Sequence, residues 1–250
     1  MGRFRERVVG KVGKASAIDS EMERASEALE AMRYFEAATL ARRALGRARS
    51  AGDFERMARI VLPLQEARRQ IREAAADTGR VVVLVTLPGG RLETGAYLVQ
   101  PPLIGVDARA IREHADRRES PVLVVCREPM TRTQEWPVVA VGLWTIRTRV
   151  KPPEGVVAMS SGLTRDRIDT LPEMSWMLAA GEALGDAAIA SVASDLPPAW
   201  RADDLLECLD AIPDHEKLAQ ALERACREAI GKPIPERPRR RAYMEDPTGF

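Results

Sequence analysis

Residues 80–150 are the only part of the chain dense in β-branched apolar residues, and segments of helical character lie on both sides of them. That placement constrains the fold more than any single motif. The runs VVVLVT at 81–86 and VLVVC at 122–126 are apolar without alternation, which predicts strands covered on both faces at the centre of a small sheet. Between them AYLVQ at 96–100 predicts another strand, stopped by Pro101 and Pro102 because proline cannot continue a ladder. Asp107 then suits a helix N-cap, with Ala108, Ile111 and Ala115 on one face before Ser120 and Pro121 end the helix. VVAV at 138–141 and WTIRTRV at 144–150 predict two more strands, broken at Gly142. The second alternates, with Trp144, Ile146, Thr148 and Val150 on one side and Thr145, Arg147 and Arg149 on the other, as an edge or half-exposed strand does.

The rest of the 250-residue chain supplies helices and tails. Residues 1–16 carry Arg3, Arg5, Arg7, Lys11 and Lys14 with little to bury, and are expected to form a basic arm. From Asp19 onward Met22, Ala25, Ala28, Leu29 and Met32 form one helical stripe; Tyr34 and Phe35 mark a turn. Ala37, Leu40, Ala41, Ala44, Leu45 and Ala48 form a second stripe. A third helix begins near Phe54, must kink or restart at Pro63, and closes at Gly79.

The segment YFEAATLARRAL at 34–45, with Ala25 and Ala28 before it, resembles the heart of a tetratricopeptide repeat. Ala37, Ala41 and Ala44 match the small positions of that repeat's second helix, and Phe54, Met57, Ala58 and Val61 suit the opening of the next. Small residues there let two antiparallel helices approach closely. The usual Gly and Tyr of the first helix and the closing Pro near Arg49 are missing, and the match spans about one and a half repeats. The resemblance implies a protein or peptide partner on the first helix, at Met22, Ser26, Leu29 and Glu30.

After residue 150, proline and glycine punctuation predicts a linker at 151–171. Helices follow over 172–230, with Asp203 and Asp214 as expected caps or first-turn acids and Leu218, Ala221, Leu222, Ala225, Cys226 and Ala229 as the buried stripe of the last. Residues 231–250 are proline-rich and charged, as disordered tails are.

Chemistry is sparse. LPGG at 87–90 runs on toward a strand, so it is expected to be a hairpin turn and not a phosphate loop, which needs a helix after its glycines. The two histidines, His114 and His215, sit in separate expected helices without ligand spacing, so no metal or cofactor is expected. Cys126, Cys208 and Cys226 suit buried, reduced thiols; a Cys126–His114 dyad is the weaker alternative. A net charge of +1 provides no field for nucleic acid, although Arg237, Arg239, Arg240 and Arg241 with Tyr243 form a short basic cluster. No apolar run is long enough to span a membrane, so the expected location is the cytoplasm.

The expected architecture is therefore α/β or α+β: helical residues 17–79, a mixed sheet at 80–150 and helical residues 172–230. The expected function is a non-enzymatic, cytoplasmic protein-interaction or scaffold protein. The alternative is a ligand-binding or enzymatic α/β domain with its site at the strand-end loops near Gly89, Gly105, Asp107, Arg127 and Glu128.

Overall fold

The computed structural model describes residues 17–129, 131, 134–153 and 171–237. The basic arm at 1–16, most of the linker and the cluster Arg239, Arg240, Arg241 with Tyr243 lie outside the described residues. Among the described residues seven helices flank one five-stranded mixed sheet, an α+β architecture. In chain order they are α1 (17–30), α2 (Tyr34–Ala51), α3 (Phe54–Ala76), β1 (Val81–Leu84), β2 (Gly95–Val99), α4 (Gly105–Arg117), β3 (Val122–Arg127), β4 (Trp136–Val141) and β5 (Thr145–Val150). Then come α5 (Met174–Ser191), α6 (Pro198–Ala211) and α7 (Glu216–Ala229).

The N-terminal helices form packed hairpins through the alanines that the spacing singles out. Ala25, Ala28, Ala37, Ala41 and Ala44 are fully buried, and helices meeting at such small residues need no long side chains between them. Gly52 turns the chain after α2 at φ +66°, where a left-handed cap favours glycine, and Asp53 caps α3 by accepting from the Arg56 N–H at 3.0 Å. α3 continues through Pro63 as one helix instead of restarting, because Ile60, Val61, Leu64 and Ala67 on either side of it are buried.

Period-two alternation divides the sheet between two cores. Ala96, Leu98, Leu123, Val125, Trp136, Val138 and Ile146 join a large core made with α1, α2, α3, α5, α6 and α7. Tyr97, Val99, Val122, Cys126 and Val139 point the other way, onto Ala108, Ile111 and Ala115 of α4 and onto Leu92. The two helical regions expected at 17–79 and 172–230 therefore share one core on the same side of the sheet, where α3 packs along α7.

Strand order is β1-β2-β3-β4-β5, with β1, β2 and β3 parallel and β4 and β5 antiparallel. This corrects two expectations. β3 is central, but β1 is an edge strand; its apolar run arises because Val81 and Val83 face one core while Val82 and Leu84 face the other. Because β1 and β2 run parallel, LPGG cannot be a hairpin turn and residues 85–94 form a crossover without a helix. β5 is the other edge and alternates as expected, with Ile146 buried and Thr145, Arg147 and Arg149 exposed.

Between β3 and β4 the ladder is short. It joins Cys126 to Val139 and Arg127 to Val138, and among the described residues no further pair links Val124 or Val125 to the stretch Ala140-Val141. The turn between α6 and α7 closes on this opening: a Cβ on Gly142 would meet the Ala211 backbone at 2.6 Å, and one on Gly105 would meet Val141 at 2.6 Å. Glycine is required at both places by proximity.

Candidate functional site

The strand ends divide the expected site. Asp107 is the third residue of α4, not its cap, and its carboxylate accepts from the Ile104 N–H at 2.8 Å. At the end of β3, Arg127 is buried, donates to Gln100 Oε1 at 2.7 Å and stacks 4.3 Å from the centre of the Trp136 ring. Glu128 forms a two-point pair with Arg147 at 2.8 and 2.9 Å. Ile104, Arg127, Glu128 and Arg147 wall an open depression of about 320 Å³ there. Gly89 and Gly90 are elsewhere: the crossover runs along α4, where the Gly90 carbonyl meets His114 Nε2 at 2.9 Å. Ile104, whose N–H Asp107 binds, thus shares this depression with Arg127, and the glycine loop does not.

On α1, Met22 and Leu29 are half-buried and pack on the helical core, whereas Ser26 and Glu30 are exposed. Ser26 Oγ donates to the Met22 carbonyl at 3.1 Å, one turn earlier. Met32, at the end of the same stripe, is 72% exposed.

The most polar interior lies where β3 and β4 part. Arg68 of α3 is buried and grips Asp116 of α4 with two hydrogen bonds of 2.8 and 3.0 Å, while Asp214 stands 3.6 Å from its other side. Arg112 of α4 reaches across to the carbonyls of Asp210, at 2.8 Å, and Ala211. Arg72 of α3 binds Glu182 of α5 at 2.8 Å and Glu216 of α7 at 3.1 Å. The neighbouring cavity, about 60 Å³ and on the scale of a few waters, is lined by Arg72, Arg109, Arg112, Glu182, Asp214 and His215.

Burial pushes the Asp214 carboxyl above its ordinary range, and Asp116 adds to that, while Arg68, Arg112 and Arg42 oppose it. The same burial pulls Arg112 down. For Arg68 the desolvation is outweighed by Asp214 and Asp116, so its charge is held more firmly than in water. His215 Nδ1 accepts from the Leu218 N–H at 3.1 Å, making His215 the cap of α7 and placing the ring proton on Nε2. Nε2 faces Glu182 Oε2 at 3.2 Å without hydrogen-bond geometry, and burial drives the ring's pKa down despite Glu182 and Asp186. Asp203 and Asp214 are accordingly not caps: Asp203 lies inside α6, bound to Arg49 at 2.9 Å, and Asp214 belongs to the ion cluster.

Arg68, Arg72 and Arg112 are each matched by a carboxylate or carbonyl from another element, so their effect is to clamp α3, α4, α5 and the α6–α7 turn together. The signal for it is a charge within an apolar stripe, as at Arg68 between Leu64 and Ile71. The thiols offer no nucleophile, since all three cysteines are free and buried, and burial raises Cys126 and Cys226 to about 12. With His114 bonded to Gly90, nothing places a base at Cys126 among the described contacts. No group of three or more metal-ligating side chains occurs among the described residues. None of their helices is long and apolar enough to cross a membrane. Comparison with family models, curated proteins and solved structures finds no match.

Proposed function

We propose that this is a non-enzymatic, cytoplasmic protein-interaction or scaffold protein that uses its N-terminal hairpin in the manner of a tetratricopeptide repeat. The supporting observation is the state of α1: Ala25 and Ala28 are buried while Met22 and Leu29, seven residues apart on one face, keep partial access to solvent beside exposed Ser26 and Glu30. An apolar strip with a polar edge is the usual receiver of a peptide or helix. Affinity purification with wild-type and Leu29→Glu chains tests it. Partner recovery should vanish in the variant while the melting temperature stays within a few degrees. A collapse in stability of several kcal/mol would assign Leu29 to the core and remove the interaction reading for this face.

A second reading, a small-ligand domain, draws on the depression beside Asp107 and Arg127 at the C-terminal ends of the parallel strands. A rise in melting temperature with small anions, lost on Arg147→Ala, would favour it.

A further inference from the structure

After α7 the chain does not leave the fold at once. Gly231 reverses it at φ +70°, and residues 233–237, Pro-Ile-Pro-Glu-Arg, run extended back across α6. Three anchors hold them. Ile234 lies over the α2–α3 turn, close enough that a Cβ on Gly52 would meet its Cδ1 at 3.2 Å. The Pro235 carbonyl accepts from Trp200 Nε1 at 3.1 Å. Arg237 donates from Nη2 to Asp204 Oδ2 at 2.7 Å and stands over the Trp200 ring, 5.6 Å from its centre. Trp200, Asp203, Asp204 and Glu207 share one face of α6 by helical spacing, so the guanidinium meets an acidic stripe with an aromatic wall. Asp204 is 3% exposed at its side chain, and Arg49 already occupies Asp203 and Glu207 from the opposite side.

These are the elements of arginine-peptide recognition, a carboxylate for the fork, an indole for stacking and an N–H for a backbone carbonyl, and they are supplied by rigid helix. The segment that uses them is poorly integrated: residues 232–236 are exposed, and Ile234 retains 57% of its surface. We propose that this face of α6 is a binding site for an extended Ile-Pro-x-Arg peptide of a partner protein, and that residues 234–237 occupy it as an exchangeable internal ligand. The tether sets the exchange. A segment attached four residues from the end of α7 competes at an effective concentration of about 1 mM, so for an intrinsic peptide Kd of about 0.1 mM a free peptide binds the intact chain about tenfold more weakly than a chain whose anchor is removed.

The site is separate from α1, so failure of the Leu29→Glu experiment leaves it standing. The probe is a fluorescent, amidated peptide of residues 232–237, Lys-Pro-Ile-Pro-Glu-Arg, titrated by anisotropy against full-length wild-type and Arg237→Ala chains. Saturable binding to Arg237→Ala, at least about tenfold tighter than to wild type, is the expected result. The same peptide with Gln in place of Arg should lose at least about tenfold on that variant, since a neutral amide cannot form the charged pair that the guanidinium makes with Asp204. Equal binding of the peptide to both chains, or of both peptides to the variant, overturns the proposal. Loss of cooperative melting in Arg237→Ala also overturns it, because the segment would then be part of the fold and not an exchangeable ligand.

Discussion

Two glycines of α5, one turn apart, offer a controlled test of the packing around His215. Both are helical, so replacing either with alanine gains about 1 kcal/mol of helix propensity. Gly181 faces open space, with no heavy atom within 4 Å of an added Cβ. At Gly185 the same carbon would meet the His215 ring at 2.1, 2.2 and 2.3 Å. That ring is buried and caps α7, so it cannot swing aside without cost. Overpacking of this kind costs about 1–3 kcal/mol, and losing the cap about 1 kcal/mol more. Set against the propensity gain, Gly185→Ala should destabilise the protein by about 1–3 kcal/mol and Gly181→Ala should stabilise it by up to about 1 kcal/mol. Urea denaturation followed by circular dichroism measures both at constant m-value. Equal stabilities for the two variants, or a Gly185→Ala chain as stable as wild type, would refute the packing of His215 on α5.

Other outcomes follow from the interior. Asp116→Ala removes the two-point partner of buried Arg68 and should cost about 3 kcal/mol in chemical denaturation; a loss below about 1 kcal/mol would mean that Asp214 alone satisfies the guanidinium. His215 holds its proton less well folded than unfolded, so as pH falls through 6.5 the unfolded chain gains protons first and stability declines. From pH about 7.5 to about 5.5 the wild type should lose about 1 kcal/mol more than His215→Asn, which retains a capping acceptor; beside the ring the carboxyl of Glu182 is lowered by Arg72 and the ammonium of Lys217 raised by Asp186, so neither changes charge there. Parallel pH profiles for the two chains would contradict the lowered pKa. The Cys126 thiol should resist labelling in the native protein at pH about 8 and react on unfolding, and Cys126→Ala should cost about 1 kcal/mol. Fast native labelling would place the thiol outside the core.

Local periodicity makes much of the fold legible in the sequence. The alanine stripes of α1 and α2, the stripe of α7 and the alternation of β5 each report a buried face directly. What periodicity does not carry is neighbour order. A continuous apolar run such as 81–86 says that both faces are covered, and says nothing about how many strands lie alongside, which is why β1 resembles a central strand. The glycines at 89 and 90 likewise mark a change of direction without telling a hairpin from a parallel crossover. Asp107 and Asp203 belong to helices that begin upstream of them, at Gly105 and Pro198, so acid-first capping places both starts too late. Of the candidate sites, Met22 and Leu29 are half-buried on α1, whereas the Arg68, Arg112 and Asp214 cluster joins residues more than 100 positions apart. No sequence window contains it.

The packing of α3 on α7 also bears on how the chain is made. Ile60, Val61, Leu64, Ala67 and Ile71 of α3 belong to the core that α7 helps to close, yet about 140 residues separate Ala76 from Glu216. At a translation rate of about 5–20 residues per second, α3 waits roughly 10–30 s for that partner to be synthesised. During that interval the nascent chain presents an apolar helical face long before the segment that covers it exists, which gives ribosome-associated chaperones a reason to bind residues 54–76 and makes fast refolding of the complete chain a poor guide to its yield in a cell.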